Sequence, residues 1–182
     1  MSGLESFPPK IINQSIANHA YLMIYSSPSD SGTTLAGHYA IVLDIKGETT
    51  DANNPKGLMM HMVLLERGVS QIVCCEVHRY DKQQPSTFLN RVIALGRVSK
   101  QLDNQGRWRD WAIIVFINFI ENHCNGIYTW GSSTNCQNFT RHLVRKLDLV
   151  WPDDIPVASD YAPMAIDLVS FYRDIEISSN TN

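Results

Sequence analysis

The sequence predicts an α+β domain: an antiparallel sheet of four to five strands, packed against a buried helix and a second helix that begins at a cysteine. Three observations predict it. The first half carries short apolar runs bounded by turn residues. The links between those runs are too short for parallel crossovers, which makes an antiparallel meander the natural arrangement. The second half carries apolar residues at helical spacing.

The elements follow in chain order. His19 to Tyr25 is apolar and ends at the turn-rich Ser27-Pro28-Ser29-Asp30-Ser31-Gly32. Gly37 to Ile45 reads as a second strand, and Lys46 to Gly57, rich in Gly, Asn, Asp, Thr and Pro, as a hairpin loop. Leu58 to Glu66 is a third strand that turns at Arg67-Gly68, and Gln71 to Tyr80 is a fourth. Arg91 to Ser99 reads as a fifth strand on its Val-Ile-Ala-Leu-Gly run, with a short helix as the alternative. Arg107 to Asn122 is apolar nearly all round at Trp111 to Ile117, which predicts a buried helix ending at Asn125-Gly126. Thr134 or Asn135 can cap a helix running to about Leu147, with Phe139, Leu143, Val144 and Leu147 on one face and Trp151-Pro152 as the stop. Pro163 suits the first turn of a last helix, Pro163 to Arg173.

The chain has 182 residues, enough for one domain with a full core, assigned to residues 16–177 between a loose arm at 1–15 and a disordered tail at 178–182. Hydrophobic residues at 44% and charged residues at 18% give a globular balance, and a net charge of −3 favours neither nucleic acid nor an anionic membrane. The longest apolar run falls short of the ~20 residues a bilayer span needs, and the N-terminus lacks a signal-peptide core, so a cytoplasmic chain without a transmembrane segment is expected. Its four cysteines are then expected as thiols.

Three residues carry candidate chemistry. Cys136 follows the loop Gly131-Ser132-Ser133-Thr134-Asn135 directly into a helix. A thiol there feels the positive end of the helix dipole and free N–H groups, which lower its pKa from ~8.5 towards neutral and offer an oxyanion hole. The bland alternative is a small buried apolar residue. His38 opens a strand beside a glycine and is placed to act as a general base; packed or exposed histidine is the ordinary outcome. His61 lies among apolar neighbours and needs a hydrogen-bond partner, for which His38 is a candidate. Trp130, six residues before Cys136, is a candidate cleft wall. Cys74 and Cys75 point to opposite faces of a strand and are read as structural. A zinc site from His38, His61, His78 and a cysteine lacks ligand spacing, so no metal and no cofactor are expected. His123 and Cys124 are read as helix-end or surface residues, and His142 as solvent-facing.

The pieces His38-Tyr39-Ala40-Ile41-Val42, His61 and Asn135-Cys136-Gln137-Asn138-Phe139 together resemble the LRAT-like, NlpC/P60-type proteins, the circularly permuted branch of the papain-like superfamily. The resemblance covers roughly residues 37–147, and the Asn-Cys-x-x-Phe segment is its sharpest part. Gln137-Asn138 stands where that family more usually has Glu-His, the Lys46 to Gly57 link is longer than its usual hairpin, and its Gly-Asp-Leu entry segment is not evident. The resemblance implies a Cys136–His38–His61 triad: nucleophile, general base and third polar residue. It implies acyl transfer or hydrolysis of an ester, thioester or amide through a thioester on Cys136. Tyr39, Trp130, Asn135 and Gln137 are then expected near a small-molecule or peptide-like acyl substrate, since the C-terminal apolar anchor of many phospholipid-acting members is not seen. Two alternatives remain open: a non-catalytic binding or scaffold domain of the same fold, and an accessory cyclase or isomerase using the same pocket.

Overall fold

The computed structural model describes residues 7–25, 37–77 and 89–157. They form a five-stranded antiparallel sheet and two helices. The strands are β1 (His19–Tyr25), β2 (His38–Asp44), β3 (Gly57–Leu64), β4 (Ser70–Val77) and β5 (Leu89–Arg97), and the helices are α1 (Gln105–His123) and α2 (Cys136–Lys146). The sheet order is β4-β3-β2-β1-β5. The first four strands are thus the expected meander, and β5 returns to the opposite edge beside β1. The predicted helix from Pro163, the end of the predicted fourth strand and the tail lie outside the described residues.

The register sorts the side chains. Leu22 faces Ile41, Ile41 faces Met60, and Met60 faces Cys74, so one row of apolar residues crosses four strands. Because successive residues alternate, Leu22, Ile24, Tyr39, Ile41, Leu43, Leu58, Met60 and Met62 build one core with the helices. Tyr21, Met23, Tyr25, Ala40, Val42 and Met59 build a second core on the other face. Cys74 packs on the first and Cys75 on the second, as strand alternation requires. Both faces of β1, β2 and β3 are buried, which is why these strands read as continuous apolar runs rather than alternating ones.

The link from β2 to β3 is fixed by Asp44, whose buried carboxylate accepts from the N–H groups of Gly47, Glu48 and Thr49 at 2.7, 2.9 and 2.8 Å. Gly47 has φ +77°, and a Cβ there would lie 2.1 Å from the Asn13 carbonyl oxygen. That close approach exists because Ile12 and Asn13 both donate to the Lys46 carbonyl. The N-terminal arm, expected to be loose, is therefore anchored to the sheet from Ile12 onward.

α1 differs from its expectation as a helix buried all round. Trp108, Ala112, Val115, Phe116, Phe119 and Ile120 are buried, while Ile113, Ile114 and Ile117 are exposed. A helix laid on one side of a sheet buries one stripe, so an apolar circumference does not by itself enclose it. Its end is as expected: Asn125 and Gly126 take positive φ, and the Gly126 N–H closes onto the Ile120 carbonyl at 2.9 Å. Cys124 is the C-cap residue and is buried, while His123 is exposed. α2 stops before Trp151-Pro152, at Asp148, which adopts φ +57° while the Leu149 N–H bonds the Val144 carbonyl. Among the described residues no helix is long and apolar enough to cross a membrane.

Candidate functional site

Asn135 is the residue that starts α2. Its extended backbone makes it the N-cap, and its side-chain oxygen accepts from the Asn138 N–H at 3.0 Å. Its amide nitrogen donates to the carbonyls of Gly131 and Ser132 at 2.9 and 2.8 Å, so one side chain both folds the incoming loop and opens the helix. Cys136 follows as the first helical residue.

α2 docks where the sheet opens. The β2–β3 pairing is confined to Ile41–Leu43 against Leu58–Met60. Ahead of it, the backbone of β2 bonds to α2 instead. The Tyr39 carbonyl accepts from Thr140 Oγ1 at 3.1 Å, the Gly37 carbonyl accepts from Gln137 Nε2 at 2.8 Å, and the Tyr39 N–H bonds to the Cys136 sulfur. The first turn of α2 thus takes over part of a strand's bonding role, and it sets the sulfur beside the residue that follows His38.

The two histidines meet at the same end of the sheet, because β2 begins where β3 ends. His38 Nε2 lies 3.0 Å from His61 Nδ1, with the rings edge to face at 5.2 Å. Both are fully buried. They share the face of Ala40, Val42 and Met59, and His38 also faces its β1 partner Tyr25 across 6.1 Å. Cys136 belongs to the core on the other face. His38 Nδ1 has no hydrogen-bond partner among the described residues, so no bond joins it to the sulfur in this arrangement.

Burial decides the protonation states. It pushes the Cys136 thiol up to about 12, against the opposing pull of hydrogen bonds from the backbone of Tyr39, Cys136 and Gln137. The thiol, expected below its ordinary value at a helix N-terminus, instead lies above it, since desolvation of the fully enclosed thiolate outweighs those backbone hydrogen bonds. Cys74 and Cys75 are raised to about 12 as well, so acidity does not set Cys136 apart from them. Burial lowers His61 to about 3, and burial followed by the neighbouring His61 holds His38 well below the ordinary histidine range. The closed site holds a neutral thiol and two neutral imidazoles.

Tyr39, Asn135 and Gln137, expected beside a substrate, are all fully buried and committed to the fold. The Tyr39 hydroxyl donates to the Pro156 carbonyl at 2.8 Å, and its ring lies 6.1 Å from Trp151. Trp130 is half-buried against the main core, with its backbone N–H donating to the Gly68 carbonyl at 2.9 Å, in the turn that leaves β3. His142, expected in solvent, is half-buried beside Phe119 and His123. Among the described residues no group of three or more His, Cys, Asp or Glu is arranged to hold a metal ion, and His78 lies outside them. Two contributors escaped the sequence reading. Thr140 lies one helical turn beyond Cys136, a spacing that was visible. Tyr25 meets His38 only through the β1–β2 register, which was not. Comparison with protein-family models, with curated proteins and with solved structures finds no match to this chain.

Proposed function

We propose that this chain is a thiol enzyme of the permuted papain-like kind, LRAT-like or NlpC/P60-type, that carries out acyl transfer or hydrolysis on an ester, thioester or amide. The observation that carries the reading is the Tyr39 N–H on the Cys136 sulfur, one residue from a His38 that is itself hydrogen-bonded to His61. In this reading His61 Nδ1 accepts from His38 Nε2–H, which leaves the lone pair of His38 on Nδ1. His38 takes the proton of the Cys136 thiol as the sulfur attacks the acyl carbon. The N–H groups at the start of α2 stabilise the oxyanion. The leaving oxygen, sulfur or nitrogen takes that proton, a thioester remains on Cys136, and water or a second acceptor then cleaves it. Both partners start neutral, so the reaction depends on general-base transfer rather than on a standing thiolate–imidazolium pair. Hydrogen bonds between catalytic groups commonly tighten only when substrate is bound.

A second reading, a non-catalytic binding or scaffold domain, is favoured by one feature: Cys136 is fully enclosed, and His38 Nδ1 makes no bond to it. Iodoacetamide labelling followed by peptide mass analysis separates the two. Because the enclosed Cys136 thiol starts neutral like those of Cys74 and Cys75, the enzyme reading expects His38 to assist it as base, so that Cys136 is alkylated faster in the wild type than in His38→Ala. A p-nitrophenyl acyl ester should leave its acyl group on Cys136. An equal Cys136 alkylation rate in wild type and His38→Ala, together with no acyl adduct, defeats the enzyme reading and leaves the scaffold.

A further inference from the structure

The face of α2 opposite the sheet carries a second arrangement that the thiol chemistry does not use. Cys136, Phe139, Thr140 and Leu143 are buried inward, and Asn138, Arg141, His142 and Arg145 turn outward towards the last turns of α1. Between them lies a cavity of about 350 Å³, within the usual size range of small-ligand sites. Its charged lining is cationic. Arg141 and Arg145 come from α2, the His123 ring adds to the wall from α1, and no carboxylate lines it among the described residues. Neither arginine forms an ion pair among the described residues; Arg141 reaches only the Asn138 side-chain oxygen, at 3.5 Å.

The histidine at its wall is the second observation. His142 packs at 4.6 Å from the His123 ring and 5.4 Å from Phe119. Its Nε2 is buried with no hydrogen-bond partner among the described residues. A shielded ring nitrogen without a partner costs stability unless something bonds it. Cations held together without counter-charge carry a similar cost.

We propose that this cavity binds a phosphate group, presented as a phosphate monoester, with Arg141 and Arg145 as its charged donors and the His142 ring in its wall. Two planar guanidinium forks suit the three terminal oxygens of a tetrahedral dianion better than the single edge of a carboxylate. The rings of Phe119 and His123 and the Ser132–Ser133 loop leave room for the organic part of the ester. The surrounding charge agrees with this. Burial, then His123, Lys146 and Arg145, lowers His142 to about 4, and burial and Arg145 lower Arg141. The groups facing His142 are Arg141, Arg145 and Lys146 from its own helix and His123 from α1. All favour its neutral form, and a bound dianion reverses that preference.

The test is calorimetric titration of the full chain with inorganic phosphate and with phenyl phosphate at low salt, and imidazole NMR in parallel. Saturable binding with Kd at or below about 1 mM is expected. It should weaken at least tenfold in Arg141→Gln/Arg145→Gln, which is exposed enough to leave the fold intact by circular dichroism, and recover in part in the double lysine variant. The pKa of His142 should rise on saturation in the wild type and not in the glutamine variant. Vesicles containing phosphatidic acid, compared with phosphatidylcholine alone, distinguish a lipid headgroup from a free ester; arginine-dependent retention assigns the phosphate to lipid. The proposal is overturned by no saturable binding of any of these probes, by equal affinity in the glutamine variant, or by a His142 titration that phosphate does not move.

Discussion

Lowering the pH should unfold this protein through one buried pair, and His61→Gln should remove much of that sensitivity. In the native state His61 titrates at about 3, against 6.5 when unfolded, and it is fully buried, so solvent screening does not reduce the effect. A histidine with a lowered native pKa contributes stability that is complete above pH 6.5 and is lost as pH falls towards 3, because the unfolded chain binds the proton first. At about 1.4 kcal/mol per tenfold change, the loss between pH 7 and pH 4 is about 3 kcal/mol. That is a large share of a typical total of about 5–15 kcal/mol. His38, also lowered and 3.0 Å away, adds to it in the same direction. Glutamine at position 61 keeps a partner within reach of His38 Nε2 while removing the titration. Urea unfolding followed by tryptophan fluorescence at pH 7, 6, 5 and 4 gives the stability of both proteins. The wild type should lose about 3 kcal/mol more than His61→Gln over that range. Parallel curves would refute the reasoning, since they would mean that His61 is not held neutral in a dry site.

Three further outcomes follow from the packing. Asn135→Ala removes the cap of α2 and two bonds to the loop before it, and should cost about 2 kcal/mol in urea unfolding. Gly57→Ala should not yield a native fold by circular dichroism at 37 °C, because φ is +141° there and a Cβ would sit 2.2 Å from the Leu43 carbonyl oxygen. Phe139→Ala should lower stability by about 3–5 kcal/mol, since the ring is fully buried and meets Phe116 and Phe119 edge to face at 5.5 and 5.6 Å.

Much of the fold was legible before any coordinates. β1 is found at the expected residues, and β2 and β3 within a residue or two, because apolar runs between Pro, Gly and Asn clusters mark buried strands sharply. The start of α2 was legible for a local reason: an Asn side chain can cap only the helix it precedes. The exposed stripe of α1 was not legible, since Ile113, Ile114 and Ile117 look in sequence like the buried residues around them. Only the presence of a single sheet on one side of the helix decides which stripe is covered.

The candidate site divides in the same way. Residue type and position alone picked out Cys136 at a helix start and the histidines on two adjacent strands. Tertiary structure alone decided that β2 and β3 separate ahead of Ile41 and that the first turn of α2 fills the opening. It also decided protonation, turning an expected acidic thiol into one near 12. Chain-local effects such as capping and dipole orientation are written in neighbouring residues. Desolvation and strand register depend on segments a hundred residues apart, and they exist only once the sheet and helix have met.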